Sequence, residues 1–481
     1  MLNILQWSSL LYFCVPLTYC IYEGLLHGTV CDNDKWQVTK GVEEMEWLKL
    51  LIVVWMTCVF TPFSALAAVV GLDALVKEAL QSNPELVAAR ERWQQSGYKV
   101  EQVGSYDDPV LSFSLSSYPY DTLKRDVYSM TGDELRLAQK FPFPGKLDTK
   151  AEMAEQEAVW FRQVYLDNRL ELVRRIKDAW YRYYARHKAV AVTERNIALL
   201  DDMVRLTEVR YATGEGLQQD VLKAQLRRSS LTDRLIGLRQ QVKTLQAELN
   251  NLAGGDAQRR IAPPDQLPEL AFEPTLAELE QQARQQRPLI HAYHELIERS
   301  RGQQRLAKLD DYPDLTMWAA WRFRDGALAD GGTDFVSAGV SFNLPVQRDR
   351  RRAALADAEA GERMVRSQYD HFLRQQTFNL YEAYNRLEES RQQVALYSEG
   401  IIPQATQNVN AALSAYRVGK VELISLLDAL RSLYDYQLAY YQAQSEAWRA
   451  VARLDAEAGR QEFDQGGQVN QQNEPMKEDN R

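Results

Sequence analysis

The chain has 481 residues, enough for two or three ordinary domains and an ample core. With 45% hydrophobic and 26% charged residues it is not disordered in bulk, and a net charge of −9 with no long Lys/Arg block argues against nucleic acid as a partner. Only 24 Gly and 16 Pro leave room for long uninterrupted elements.

Residues 48–61 (LKLLIVVWMTCVFT) form an apolar stretch that is short for a membrane span and is followed by Pro62. Ser64-Ala65-Leu66-Ala67-Ala68 then supplies a small-residue cleavage pattern, so residues 1–67 read as a secretory signal peptide. Met45 is a conventional start, which makes 1–44 an over-long extension. All four cysteines (Cys14, Cys20, Cys31, Cys58) precede residue 59, so residues 59–481 hold neither a disulfide framework nor a thiolate metal site. Trp55-Met56-Thr57 before Cys58 is a poor lipidation signal. Cleavage near Ala67 leaves an exported, cysteine-free chain of net charge −6.

Beyond residue 70 the sequence repeats itself at a spacing of about 200 residues. Leu72-Asp-Ala-Leu75-Val-Lys-Glu-Ala79, ending at Pro84, returns as Leu276-Ala-Glu-Leu279-Glu-Gln-Gln-Ala283, ending at Pro288. Asp107-Asp108-Pro109 returns as Asp310-Asp311-Tyr312-Pro313, and Phe141-Pro-Phe-Pro144 as Phe342-Asn-Leu-Pro345. Tyr211-Ala-Thr-Gly214 returns as Tyr416-Arg-Val-Gly419, and Asp220-Val-Leu-Lys-Ala224 as Ser425-Leu-Leu-Asp-Ala429. The expected organisation is a first repeat over 68–262, a Pro-marked linker over 263–274, a second repeat over 275–459 and a polar, disordered tail over 460–481.

Each repeat is predicted to run short helix, strand, strand, long helix, tip, long helix. Leu111, Phe113 and Leu115 alternate with Ser112, Ser114 and Ser116; Glu134 and Arg136 alternate with Leu135 and Leu137. In Leu315–Arg324 the apolar set Leu315, Met317, Ala319, Trp321, Phe323 alternates with Thr316, Ala320, Arg322 and Arg324, with Trp318 breaking the polar face. Phe335–Phe342 alternates likewise. Period two with one apolar face is a half-buried strand. Leu147 to Tyr211 contains neither Gly nor Pro, which predicts a helix of about 100 Å. From Arg348 to Tyr416 only Gly361, Gly400 and Pro403 interrupt. Leu231, Leu235, Leu238, Val242, Leu245, Leu249 and Leu252 form a strict heptad seam, so these helices must pair.

Four amphipathic strands cannot stand alone in a bilayer, because two unpaired edges would face hydrocarbon at several kcal/mol per backbone group. Three chains would supply twelve strands, enough to begin leaving a lumen, with long helices continuing the cylinder as a water-filled tube. The polar strand faces, with Ser112, Ser114, Arg322 and Arg324, would line it.

Residues 72–459 resemble the TolC-like outer-membrane efflux proteins of Gram-negative bacteria. The resemblance rests on the duplication, the strand pair in each half, and the tip motif Tyr416-Arg-Val-Gly419 followed by Leu426-Leu427-Asp428-Ala429. It implies a mainly α fold with membrane β: a homotrimeric 12-stranded barrel continued by an α-helical tunnel, set in outer-membrane lipid and reaching into the periplasm. It also implies a non-enzymatic duct docked through a periplasmic adaptor on an inner-membrane transporter, of the RND type, and no cofactor. By register Asp428 matches a gate aspartate at the tunnel aperture, Ser425 stands where a second would be, and Asp220 occupies the Ser425 position in the first half. Tyr416 matches a gate tyrosine, but the arginine expected near it is Val421. Tyr211, Gly214, Gly216 and Gly419 mark the tips an adaptor grips, with Gly214 and Gly419 expected at φ > 0. Phe141-Pro-Phe-Pro-Gly145-Lys146 is similar to the strand-to-helix turn of the heavy-metal and cation branch.

Rival readings fit less well. A periplasmic adaptor would carry one hairpin between β-rich segments, and a filament protein would not need alternating strands. No catalytic constellation, phosphate loop or metal spacing emerges. His291 and His294, at i, i+3, read better as a solvated helix face than as metal ligands, and the abundant Glu and Asp fall at solvated helix spacings.

Overall fold

The computed structural model describes residues 71–327 and 331–460, together with a short antiparallel pairing of Thr29–Val30 with Gln37–Val38. The expected signal peptide and residues 461–481 of the expected tail otherwise lie outside the described residues.

Both repeats open with a pair of helices rather than the single short one expected. In the first, α1 (Leu72–Ser82) is followed at once by α2 (Pro84–Gly104); in the second, α5 (Leu276–Gln286) is followed by α6 (Pro288–Leu309). The prolines expected to act as stops are first-turn residues of the next helix, where a missing N–H costs nothing. Asn83 makes the first junction: its Oδ1 accepts from the N–H groups of Glu85 (2.9 Å) and Leu86 (3.1 Å). Its amide donates to Leu252 O at 2.9 Å, which ties the turn to the far end of the returning helix.

Strands β1 (Val110–Ser116) and β2 (Gly132–Phe141) lead into α3 (Lys146–Ala212), whose 67 residues span about 100 Å. A tip turn returns the chain along α4 (Gln218–Ala253). The second repeat continues with β3 (Leu315–Phe323), β4 (Phe335–Phe342) and α7 (Arg348–Ala395). A π turn over Leu396–Ile401 passes into α8 (Ile402–Arg417), and α9 (Leu423–Ala458) returns. Gly361 leaves α7 unbroken. The π turn falls where Gly400 and Pro403 combine, because Pro403 cannot donate to the ladder.

The heptad seam of α4 is buried from Leu231 to Leu252, with Val242 partly so. Leu245, Leu249 and Leu252 meet Leu75, Val76 and Ala79 of α1 and Leu172, Ile176 and Tyr183 of α3 in one core. The second repeat builds the same core from Leu279 and Ala283 of α5, Leu380, Ala383 and Leu387 of α7, and Ala447, Ala450, Val451 and Leu454 of α9. A third core, nearer the tips, joins α3, α4, α8 and α9 around Leu200, Leu231, Tyr416, Leu426 and Tyr434. The connection between repeats is anchored where the Tyr183 hydroxyl donates to Ile261 O at 2.5 Å and Phe272 is buried.

The four strands form one antiparallel sheet in chain order, β1-β2-β3-β4. Both edges, β1 and β4, are unpaired among the described residues.

Candidate functional site

The register sorts the sheet into two faces. Phe113 lies opposite Leu135, which lies opposite Trp321 and then Val336; Leu111, Leu137, Ala319 and Ala338 form the adjoining row. Nothing among the described residues covers this face: Phe113 is 65% exposed and Val336 74%. The apolar band is bounded at one end by Phe141, Leu315 and Phe342 in one register row, with Tyr106 edge-on to Phe141. At the other end Trp321 stacks on Phe323. Eight residue steps separate Leu315 from Phe323. At about 3.4 Å each and a tilt near 40° they rise roughly 20 Å, close to the ~25 Å apolar band of membrane barrels.

The opposite face is polar and internally paired. Ser112, Arg136, Ala320 and Ser337 share one row; Ser114, Glu134, Arg322 and Phe335 share the next. Arg322 bonds Glu134 at 2.8 Å, and the Ser112 hydroxyl donates to Arg136 O at 3.4 Å. Trp318, the apolar interruption, lies under the Arg136 guanidinium, 4.1 Å from centroid to charge. Gly339 opposite it is a matter of space: a Cβ there would lie 2.6 Å from the Trp318 ring. Arg324 departs from expectation. It lies just past the last residue of β3 and is buried, its N–H donating to Asp334 Oδ1 (3.0 Å) and its guanidinium to Thr333 O (3.1 Å). It belongs to the β3–β4 turn, not to the open polar face beside Ser112, Ser114 and Arg322.

At the far end of the long helices the two tips share one geometry. Gly214 (φ +78°) and Gly419 (φ +72°) occupy left-handed positions. Glu215 N donates to Arg210 O and Lys420 N to Ala415 O, both at 2.9 Å, closing helix ends of Schellman type. Tyr211, half exposed, and Gly216 flank the first turn. Tyr416 is buried, and the arginine that bonds it comes from the other hairpin: Arg210 Nη1 donates to Tyr416 O at 2.6 Å, with its guanidinium 4.9 Å from the Tyr416 ring. Burial pushes the Tyr416 hydroxyl above its ordinary pKa; Arg210 works against the shift and the nearby Asp220 carboxylate adds to it. The structure therefore groups Tyr416, Arg210 and Asp220. Ser425 and Asp428 lie apart on the exposed side of α9. Arg210 is invisible to a search for a partner within the second tip motif alone. The equivalence of the two tips is the signal in the sequence that points to it.

Midway along the helices the charged residues are not simply solvated. Glu248, Arg182, Asp178, Arg449 and Glu446 form a continuous belt across α4, α3 and α9, with contacts of 2.6–2.8 Å. Arg453 to Glu382 (3.0 Å) extends it to α7. Arg287 is held, nearly buried, between Asp167 (3.1 Å) and Glu457; burial pushes Asp167 above the ordinary carboxylate range although Arg287 opposes the shift. Helical periodicity places these groups on a face but cannot show that four helices bring such faces together. His291 Nε2 lies 3.0 Å from Gln285 O, and His294 Nε2 3.3 Å from the Tyr369 hydroxyl. No group of three His, Cys, Asp or Glu suited to a metal occurs among the described residues.

Among the described residues the architecture is thus two long helical hairpins joined to one amphipathic four-stranded sheet with bare edges. The chain belongs to the outer membrane efflux protein family, whose model matches residues 75–255 and 279–460. It is 27% identical over 183 residues to the cobalt-zinc-cadmium resistance protein CzcC of Cupriavidus metallidurans, covering 38% of this chain and 43% of that protein. It is 24% identical over 294 residues to the outer membrane efflux protein BepC of Brucella suis, covering 60% and 63%. The chain thus spans under two thirds of these relatives' lengths. Its fold matches that of the outer membrane protein VceC of Vibrio cholerae with a TM-score of 0.69 at 22% identity, over 81% of this chain and 96% of VceC.

Proposed function

We propose that this chain is one of three identical subunits of an outer-membrane duct that carries cargo from an inner-membrane transporter, through a periplasmic adaptor, out of a Gram-negative cell. The observation that carries the reading is the four-stranded sheet with one uncovered apolar face, one polar face and two bare edges. In hydrocarbon those edges must be paired, and copies of the same sheet are the natural complement. The polar rows containing Ser112, Ser114 and Arg322 then line the lumen, and the charged belt lines the tunnel below.

The tips are the aperture. Arg210 and Tyr416 hold the two hairpins of a subunit together beside Asp220, while exposed Asp428, repeated three times, provides an acidic ring with Ser425 beside it. Tyr211, Gly214, Gly216 and Gly419 form the surface offered to the adaptor. The similarity to a cobalt-zinc-cadmium resistance protein favours cationic cargo, which a duct conducts without resident ligands. Planar-bilayer recording of the purified protein tests the reading: cation-selective reversal potentials that weaken in Asp428→Ala, with larger conductance, are expected. A wild-type protein that inserts and conducts with anion preference would refute the acidic aperture.

A further inference from the structure

Where the sheet meets the long helices, an apolar groove of about 650 Å³ opens on the same side as the uncovered strand face. Its upper wall is the last register row of that face, Phe141, Leu315 and Phe342; Phe143 and Leu147 continue it onto the start of α3. The Phe-Pro-Phe-Pro motif is thereby explained as groove wall. The groove's one charged lining residue is Asp148, exposed and without an ion-pair partner among the described residues.

The start of α7 is rich in arginine and is tied to the chain just before the groove. Arg351 reaches back to Asp310 O (2.8 Å) and to Asp311 (3.7 Å), on the segment just before the lining residue Pro313. Arg352 is taken by Asp349. Arg348 and Arg350 are exposed with no ion-pair partner among the described residues. An apolar slot continuous with a lipid-facing surface, with a free carboxylate at its mouth and spare arginines on a helix tied to the rim, complements a chain whose polar end carries both an ammonium and a phosphate.

We infer that this groove is a docking site for phosphatidylethanolamine of the periplasmic leaflet. One acyl chain lies in the slot against Phe141, Leu315 and Phe342, the ammonium donates to Asp148, and the phosphate is left in solvent toward the arginine-rich start of α7. The inference rests on the membrane reading proposed for the sheet. Phosphatidylglycerol lacks the ammonium, and phosphatidylcholine has one with no N–H to donate, so each loses the Asp148 contact. One charge-assisted hydrogen bond at a half-wet site corresponds to about a tenfold preference.

The test is native mass spectrometry of the detergent-purified assembly offered equimolar palmitoyl-oleoyl phosphatidylethanolamine, -glycerol and -choline. The wild type is expected to retain the ethanolamine lipid about tenfold over the others. Asp148→Asn should bring the three to parity, and Leu147→Trp, which fills the slot, should lower retention of all three; if Leu147→Trp does not assemble, Asp148→Asn decides alone. Equal retention of the three lipids by the wild type, or a preference that Asp148→Asn leaves intact, overturns the proposal. Vesicle flotation separates the docking site from the membrane reading. A protein that floats yet retains no lipid sinks only the docking site, and one that does not float sinks the membrane reading as well.

Discussion

Arg210 is the residue whose loss should be most informative. Its contact with Tyr416 O spans 206 residues of sequence and joins the two hairpin tips. A hydrogen bond from a charged donor is worth ~1.5–3 kcal/mol and a partly exposed cation–π contact ~0.5–1 kcal/mol. Because Arg210 is half-buried, solvent screening reduces the sum to about 2 kcal/mol. At 1.4 kcal/mol per decade, Arg210→Ala then shifts the balance between joined and parted tips about 30-fold per subunit. Single-channel recording reads this as a higher open probability, with Arg210→Lys intermediate, since an ammonium keeps the charge but not the planar fork. Thermal stability should fall only modestly, because the two repeat cores around Leu249 and Leu454 are untouched and Tyr416 keeps its apolar neighbours in the third. An Arg210→Ala channel with wild-type open probability would refute the assignment of the tips as a latch.

Other perturbations probe the sheet and its junction with the helices. Lys146 is buried against Asp314 (2.9 Å) and Asp310 (3.1 Å), so Asp314→Asn should cost roughly 2 kcal/mol, less than a fully orphaned charge because Asp310 remains. Burial alone would raise Asp314, but bonds from Lys146 and Phe143 N outweigh it and hold its pKa below the ordinary carboxylate value. That contribution is present above about pH 4 and is lost as pH falls through the depressed folded value, so melting curves of wild type and Asp314→Asn should converge below pH 4. Gly339→Ala places a methyl against the Trp318 ring and should cost ~1–3 kcal/mol; adding Trp318→Ala should recover part of that loss in a double-mutant cycle, and strict additivity would contradict the packing. Arg287→Met should destabilise by several kcal/mol because it strands Asp167 and Glu457 together, and Arg287→Met with Asp167→Leu should lose less, as denaturant melts will show.

Much of the fold is legible in the sequence because its signals are local. Long runs without Gly or Pro are helices, the α4 heptads are a buried seam, and alternation locates all four strands to within two residues. The helices after Pro84 and Pro288 are harder to see because proline is as much a terminator as an initiator; the Asn83 cap decides that it begins the next turn. Parity alone assigns Arg324 to the strand face, yet the strand ends one residue earlier and Asp334 draws it into the turn. The Arg210–Tyr416 contact and the Arg182–Asp178–Arg449 belt depend on residues hundreds of positions apart and arise only from how the two repeats pack. Phe141-Pro-Phe-Pro144 is visible as a motif, but its groove exists only once Leu315 and Phe342 from the other repeat close it.

The central requirement is that a sheet with two bare edges be completed by copies of itself. Light scattering of the detergent-extracted protein, corrected for bound detergent, measures this directly: the account predicts an assembly of three chains. A homogeneous single-chain species that still floats with vesicles would contradict it.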